Sequence, residues 1–304
     1  MIFSRVTKSK KTMAAVLTAL LAIVIISGLG VMYYKNNTSS GSGVITKETE
    51  LGRYVKKHSS GSKDVTIAVI DSGISSNETM ADERLLDGHN FTDEEDMADN
   101  FYHGKVINNV ITSETDEHVK ILPLKVADSD GSIRIEAVSE AINYACAEGV
   151  QVINIPISMD NDDYELIKED VRRASDRGIY VVFSVSNSGK ELNSNPYSDM
   201  DNVYMAGSLE DDNTLSKYSD YGSGVGVVSY GTYDSFSGTS YAAARVSSTI
   251  ASMLENGITD VNDVITKYAK KDSSCSTGFV SLKEYEGATV KKKSEIGLPQ
   301  SHWL

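Results

Sequence analysis

The amino-acid sequence predicts an α/β fold: a three-layer, doubly wound, mostly parallel sheet preceded by one N-terminal transmembrane helix. Two observations predict the sheet. From about residue 64, short β-branched apolar runs alternate with helical periods, and several of these runs are apolar at successive positions, as in strands covered on both faces. A third observation, an uncharged apolar stretch near the N-terminus, predicts the membrane helix.

The membrane helix is predicted over residues 13–34, MAAVLTALLAIVIISGLGVMYY, which contain no charged side chain. A bilayer-spanning helix requires roughly 20 such residues. Residues 1–12 carry one arginine and three lysines, which indicates a cytoplasmic basic segment and an extracytoplasmic chain beyond the helix. Because no clear cleavage site follows, we expect an uncleaved signal anchor in the cell membrane; the alternative is a protein secreted after signal cleavage.

The strands of the sheet are predicted next, in chain order. They are residues 65–70, 119–127, 150–157, 179–186, 202–208 and 225–230. Between them, apolar residues recur at three- and four-residue spacing and are followed by Gly149, Gly178 and Gly257, which indicates amphipathic helices with glycine stops. We expect a linker over 35–63, the folded domain over 64–288 and a C-terminal tail over 289–304.

Charge and cysteine content argue against nucleic-acid binding and against a disulfide-stabilised fold. The chain of 304 residues has a formal net charge of −14 although its first twelve residues are basic. An acidic domain does not favour nucleic acid, which usually binds a basic patch. Cys146 and Cys275 are too few for a disulfide framework. Because Cys146 falls on the apolar face of a predicted helix, we expect a buried, unpaired thiol there, with a disulfide as the alternative.

Four polar residues are predicted to meet at the carboxyl-terminal edge of the sheet, where doubly wound folds bind ligands. Asp71 follows a buried strand in VTIAVIDSGI, and Asn187 follows another in IYVVFSVSNSG. His103 lies in a polar loop ahead of an apolar helix, and Ser240 begins a helix in FSGTSYAAARV. Each residue also has an ordinary structural explanation, such as a turn or, for Ser240, a helix N-cap.

Together these side chains can carry out acyl transfer. Ser240 is the candidate nucleophile, unreactive until a base takes its proton. His103 is the candidate base, since an imidazole can accept that proton and return it to the leaving group. Asp71 would orient the imidazole and stabilise its cation. Asn187 would donate its side-chain amide to the oxyanion, beside the backbone N–H of Ser240.

The motifs VTIAVIDSGI, HGKV, NSG and FSGTSYAAARV resemble those of the subtilisin-like serine proteases (subtilases, peptidase S8 type), in the same chain order. The resemblance covers roughly residues 64–285. It implies a subtilisin-like fold, a triad of Asp71, His103 and Ser240, and Asn187 as oxyanion donor. It also implies that the edges at 130–133 and 155–158 pair with an extended peptide as an added strand.

The resemblance further implies a set of substrate contacts along this cleft. One wall of the primary pocket comprises Ser184, Val185 and Ser186, and the two flanking edges contribute Gly131, Ser132, Ile157 and Ser158. The family's Pro-His after the nucleophile is replaced by Ala244-Arg245. Its usual calcium loop has no match in the short segment TSETDEHVK. We therefore predict no cofactor and no metal ligands, with calcium as an alternative that lacks a recognisable loop.

These observations predict a monomeric, membrane-anchored serine endopeptidase that works through an acyl-enzyme. Its expected partners are a peptide or protein substrate, with limited processing of exported chains as the role, and the membrane through the N-terminal helix. The alternative is a catalytically silent, protease-like binding module at the membrane surface. Ala244-Arg245 and Pro156 favour that alternative, whereas the complete Asp, His, Asn and Ser set opposes it.

Overall fold

The computed structural model of the chain describes residues 46–74 and 83–285. The chain divides after Val44 into two units, and the described residues all belong to the second, Ile45–Leu304. The basic segment at 1–12, the membrane helix at 13–34 and the tail at 289–304 lie outside the described residues and stay predictions. No helix within the described ranges is both long and apolar enough to cross a bilayer.

Strands and helices alternate between residues 89 and 184, as the sequence predicts, and four more strands then follow before the next helix. The strands are β1 (Thr46–Glu48), β2 (Val65–Asp71), β3 (His89–Asn90), β4 (Val119–Lys125), β5 (Val152–Ile155), β6 (Tyr180–Ser184), β7 (Val203–Leu209), β8 (Val227–Tyr230), β9 (Thr232–Tyr233), β10 (Phe236–Ser237), β11 (Gly278–Phe279) and β12 (Lys283–Tyr285). The helices are α1 (Glu50–His58), α2 (His103–Glu114), α3 (Ile135–Glu148), α4 (Asn161–Leu166), α5 (Lys168–Asp176), α6 (Thr239–Glu255) and α7 (Val261–Tyr268).

The main sheet of the described residues has eight strands in the order β11-β8-β7-β6-β5-β2-β4-β3. Every neighbouring pair in it is parallel. From β2 the chain builds outward on one side through β4 and β3 and on the other through β5 to β8, so that the order reverses between β2 and β5. This confirms the predicted doubly wound sheet and puts the expected ligand crevice beyond the carboxyl ends of these two strands.

Helices cover both faces of the sheet and make the three layers. On one face, α3 and α5 bury apolar residues such as Ile142 and Val171 against the strands. On the other face lie α1, α2, α6 and α7, with α6 packed against β5, β6, β7 and β8. Nearly all of α6 is buried, which explains its small residues, since alanine and serine allow the helix to approach the sheet closely.

The folded domain begins before residue 64, so the predicted linker is wrong for residues 46–58. β1 pairs antiparallel with β12, and α1 buries Leu51 and Val55 in the same core as α7. Each such side chain stabilises the fold by about 1.5–3 kcal/mol. Two apolar residues one turn apart are too few for a clear helical period in the sequence, which is why the segment reads as a linker.

Smaller differences also have local causes. β5 ends at Ile155, two residues earlier than predicted, because Pro156 has no N–H to continue the ladder. Both cysteines are free thiols, Cys146 buried and Cys275 partly exposed, which confirms the expectation for Cys146.

Candidate active site

Asp71 and His103 are brought together at the carboxyl end of β2. Asp71 is the last residue of that strand and is 1% exposed. Its Oδ1 and Oδ2 lie 2.8 Å and 3.0 Å from Nδ1 of His103, the first residue of α2. The preceding Tyr102 adopts a left-handed conformation with φ 63°, which turns the loop into the helix. The carboxylate therefore holds one ring nitrogen and leaves Nε2 to face away from it.

Gly104 permits this close approach of α2 to β2. A Cβ at that position would lie 2.4 Å from the carbonyl oxygen of Gly73 and 3.3 Å from Oδ1 of Asp71. The first of these distances is well inside van der Waals contact, and the obstacle is backbone. Any side chain at residue 104 would therefore push the helix start, and His103 with it, away from Asp71.

The electrostatics of His103 favour its protonated form. Burial of the imidazole lowers the pKa of His103, but the charge of Asp71, the hydrogen bond to that carboxylate and the charge of Asp99 outweigh burial and raise it overall. A base with a raised pKa holds a proton more readily once it has taken one. The arrangement thus suits a side chain that must carry a proton during the reaction.

Ser72 and Asp99 support this pair, and sequence reasoning missed both. Ser72 donates its backbone N–H to Oδ1 of Asp71 at 2.6 Å, and its Oγ donates to Oδ1 of Asp99 at 2.8 Å. Asp99 also accepts the N–H groups of Phe101 at 3.0 Å and Lys105 at 2.9 Å. Asp99 therefore fixes the loop that leads into His103. Asp99 lies four residues before His103 in a loop, where no helical or strand-like repeat in the sequence would have identified it.

A buried lysine ties the same loops to the sheet. Lys125, the last residue of β4, is 1% exposed. Its Nζ donates to the carbonyl oxygens of Ser72 at 3.2 Å and Ala98 at 2.9 Å and lies 3.4 Å from Oε2 of Glu94. These contacts satisfy the buried ammonium. They connect the residue after Asp71 with the residue before Asp99.

Ser240 is the second residue of α6 and does not cap it. The N-cap is Gly238, without a side-chain hydrogen bond, and Oγ of Ser240 donates instead to the carbonyl oxygen of Pro156 at 2.9 Å. The next residue, Tyr241, places its ring 6.1 Å from the His103 imidazole, so the starts of α6 and α2 are adjacent. In the part of the chain that the structure describes, Ser240 Oγ makes no direct hydrogen bond to the His103 imidazole.

Asn187 lies beside the start of the same helix. Its Oδ1 accepts the backbone N–H of Thr239 at 3.0 Å. The Thr239 hydroxyl lies 3.1 Å from the same oxygen but donates its single proton to the carbonyl oxygen of Val185 at 2.6 Å. The bond from the Thr239 N–H orients the amide and leaves its nitrogen for another acceptor. A Cβ added to Gly238 would lie 3.8 Å from that nitrogen, so the amide N–H groups lie next to the loop that carries Ser240.

The predicted substrate edge at Gly131 and Ser132 forms a turn close to the histidine loop. Gly131 has φ 87°, and a Cβ there would meet the Phe101 ring at 3.2 Å. Ser132 donates its N–H to Oδ1 of Asp130 at 2.9 Å, while its carbonyl oxygen accepts the N–H of Asp128 at 2.9 Å. The edge thus faces the loop before His103.

Of the other predicted substrate residues, three are closed off from solvent, whereas Ser158 and Ser186 are partly exposed. Ile157, Ser184 and Val185 are 3%, 0% and 1% exposed. Oγ of Ser158 donates to the carbonyl oxygen of Val185 at 3.2 Å, and the carbonyl of Ser186 accepts the N–H of Asp220 at 3.1 Å. Ser184 and Val185 are therefore part of the packed sheet end rather than an open pocket wall.

The described ranges contain no group of three or more His, Cys, Asp or Glu side chains placed to hold a metal ion. The chemistry of the site as described rests on the carboxylate, the imidazole, the hydroxyl and the amide. These groups can transfer a proton from a hydroxyl and bind a developing oxyanion.

Comparison with known proteins identifies a family. The model of the subtilase family (peptidase S8) matches residues 62–273. A thermophilic serine proteinase of Bacillus sp. (strain AK1) is 29% identical over 242 residues, which cover 72% of this chain and 60% of that protein. Subtilisin BL of Lederbergia lenta is 26% identical over 237 residues, covering 72% of this chain and 86% of that protein.

Solved structures show the same fold. One described as a lanthipeptide protease superposes with a TM-score of 0.64 at 21% identity, covering 75% of this chain and 89% of that chain. The epidermin leader peptide processing serine protease EpiP of Staphylococcus aureus superposes with a TM-score of 0.60 at 18% identity, covering 76% of each chain.

Proposed function

The chain belongs to the subtilase family, and from this premise we propose that it is a serine endopeptidase whose Ser240 forms an acyl-enzyme with peptide substrates. Family membership indicates a hydrolase. The observation that supports the residue assignment is the contact between Asp71 and His103, which stand beside the first turn of the helix carrying Ser240.

The proposed mechanism begins with a rotation of the Ser240 hydroxyl. In the resting structure that hydroxyl is bonded to the carbonyl of Pro156. Rotation toward Nε2 of His103 lets the imidazole take the hydroxyl proton as Oγ attacks the scissile carbonyl carbon. Asp71 stabilises the resulting imidazolium through Nδ1. His103 then gives the proton to the departing amine, and water repeats the sequence to release the acyl group.

The oxyanion of the tetrahedral intermediate needs donors that are already in place. The Asn187 amide is oriented by Thr239 through its oxygen, so its nitrogen can donate without reorganising. The backbone N–H of Ser240 at the start of α6 is the second donor, and the positive end of the helix adds to it. A catalytically silent module would have no use for this set, so we do not favour that alternative.

Limited processing of an exported peptide or protein is the role we propose. The solved neighbours include an enzyme described as processing a leader peptide, and the predicted N-terminal anchor would hold the domain at the outer face of the membrane. Extracytoplasmic location, membrane attachment through residues 13–34 and a monomeric state belong to this proposal.

Peptide hydrolysis by the full-length chain and its variants tests the proposal. We expect Ser240→Ala and His103→Ala to reduce kcat by about 10⁴-fold or more, and Asn187→Ala to reduce it by about 10²–10³-fold. Ser235→Ala, at an exposed serine five residues before the nucleophile, is the control and should retain activity. Equal activity of the wild type and Ser240→Ala would overturn the proposal.

A further inference from the structure

The surroundings of Ser240 limit the space for the substrate residue that would acylate it. Ser240 Oγ lies 2.9 Å from the carbonyl oxygen of Pro156. The hydroxyl of the preceding Thr239 donates to the carbonyl oxygen of Val185 at 2.6 Å. The nucleophile therefore sits between the segment that follows β5 and the segment that follows β6.

These two segments no longer pair with each other beyond the sheet. The ladder between β5 and β6 ends at the pair Ile155 and Phe183. Beyond it, Pro156 has no N–H, and the N–H of Val185 bonds to Ala206 of β7 at 3.0 Å. The space between the segments is thus free of backbone bonds between them. The resemblance to the subtilases assigns these same two segments to the primary pocket, which takes the side chain next to the scissile carbonyl.

Ser158 closes this space. Its Oγ reaches across and donates to the carbonyl oxygen of Val185 at 3.2 Å, so a side chain of one segment touches the backbone of the other. The neighbouring Ile157 and Val185 are 3% and 1% exposed. A substrate side chain that enters here would therefore meet the two segments in contact through Ser158 and Val185, with no open pocket between them.

Ile157 and Val185 belong to an apolar cluster that also contains three aromatic rings. Phe183 and Tyr197 stack with centroids 5.1 Å apart, and Tyr164 meets them edge-on at 5.7 Å and 5.9 Å. Tyr197 donates its hydroxyl to the backbone carbonyl of Tyr164 at 3.1 Å, and all three side chains are buried. A close-packed interior of this kind does not open by a small adjustment.

We propose that the site accepts only a small residue, glycine, alanine or serine, on the carbonyl side of the scissile bond, and that Ser158 sets this limit. The inference rests on the proposed endopeptidase function. A leucine, phenylalanine or arginine at that substrate position would have to break the hydrogen bond between Ser158 and Val185 and displace Ile157 and Val185 from their apolar cluster. The acyl-enzyme would then form with its side chain outside the pocket and its carbonyl misplaced.

A peptide set that varies only this substrate residue tests the proposal on the full-length wild type. We expect kcat/KM for alanine to exceed that for phenylalanine and for arginine by roughly tenfold or more. Equal or faster cleavage after the large residues would overturn the inference while leaving the endopeptidase intact. Absence of cleavage together with absence of fluorophosphonate labelling would overturn both.

Widening the pocket gives the complementary test. Ser158→Gly removes the crossing side chain and should raise the ratio of phenylalanine to alanine cleavage by about tenfold. Ser276→Gly is the matched control, because Ser276 is an exposed serine whose hydroxyl also donates to a backbone carbonyl at 3.2 Å, that of Gly226. If circular dichroism shows that Ser158→Gly does not fold, Ser158→Ala should shift the ratio in the same direction by less. An unchanged ratio in the folded variant would contradict the proposal.

Discussion

Arg245 of α6 forms a partly buried ion pair with Glu114 at the end of α2, with 2.9 Å between Nε and Oε1. The guanidinium also donates through Nη1 to the carbonyl of Tyr230 at 2.9 Å. This pair joins the helix that carries Ser240 to the helix that begins at His103. These contacts account for an arginine at residue 245, where the subtilases usually have histidine.

The two partners of this pair are unequally buried, which predicts unequal effects of removing them. Arg245 keeps 5% of its side chain exposed and Glu114 keeps 31%. Glu114→Met leaves a buried guanidinium without its counter-charge and should lower the free energy of unfolding by on the order of 3 kcal/mol. Arg245→Met leaves a carboxylate that water can reach and should cost less. Urea unfolding of both variants measures the difference, and the reverse order would contradict it.

Asp99 is expected to shift the pH dependence of catalysis. Its charge contributes to the raised pKa of His103, and His103 must be neutral to act as a base. Asp99→Asn should therefore lower the pKa of His103 and move the acid limb of the kcat/KM profile to lower pH. Asp96→Asn, at an exposed aspartate of the same loop, is the control. An acid limb that stays in place, or moves to higher pH, would show that Asp99 acts only on loop structure.

Gly104 should be indispensable to the contact between Asp71 and His103. Because an added Cβ would lie 2.4 Å from the backbone oxygen of Gly73, Gly104→Ala must displace the start of α2. We expect kcat to fall by on the order of 10²-fold. Gly226→Ala is the control, since the nearest atom to its added Cβ is at an ordinary 3.4 Å. Full activity of Gly104→Ala would contradict the proposed geometry.

The free energy of unfolding is expected to fall as pH rises, because of Glu255, the last residue of α6. Burial first, and then a hydrogen bond to Asp116 and the charge of that residue, raise the pKa of Glu255 to about 7. The unfolded chain releases this proton near pH 4.5, whereas the folded chain retains it up to about pH 7. The penalty for ionising the buried carboxyl is therefore absent at low pH and grows between these values.

Glu255→Gln removes that titration and should flatten the pH dependence. The gain in urea midpoint over wild type should be larger at pH 8 than at pH 5. Glu83→Gln, at an exposed glutamate, should change the midpoint equally at both values. A gain for Glu255→Gln that is the same at pH 5 and pH 8 would refute the assignment.

The sequence predicted the features that depend on local pattern. The alternation of apolar runs and helical periods predicted the doubly wound sheet, and the strand and helix ends predicted the neighbourhood of Asp71 and His103. Contacts between distant positions have no such pattern. Arg245 and Glu114 are 131 positions apart, and Ser158 meets Val185 only because two parallel strands end side by side. These contacts became visible only in the folded chain.

The proposed activation of Ser240 as a nucleophile is tested most directly with a fluorophosphonate. Its phosphorus atom is attacked by an activated serine, which displaces fluoride and leaves a stable adduct. Mass spectrometry of the labelled, digested full-length chain should find one adduct, on Ser240, that is absent from Ser240→Ala and retained in Ser235→Ala. No adduct on the wild type, or equal labelling of Ser240→Ala, would contradict the account.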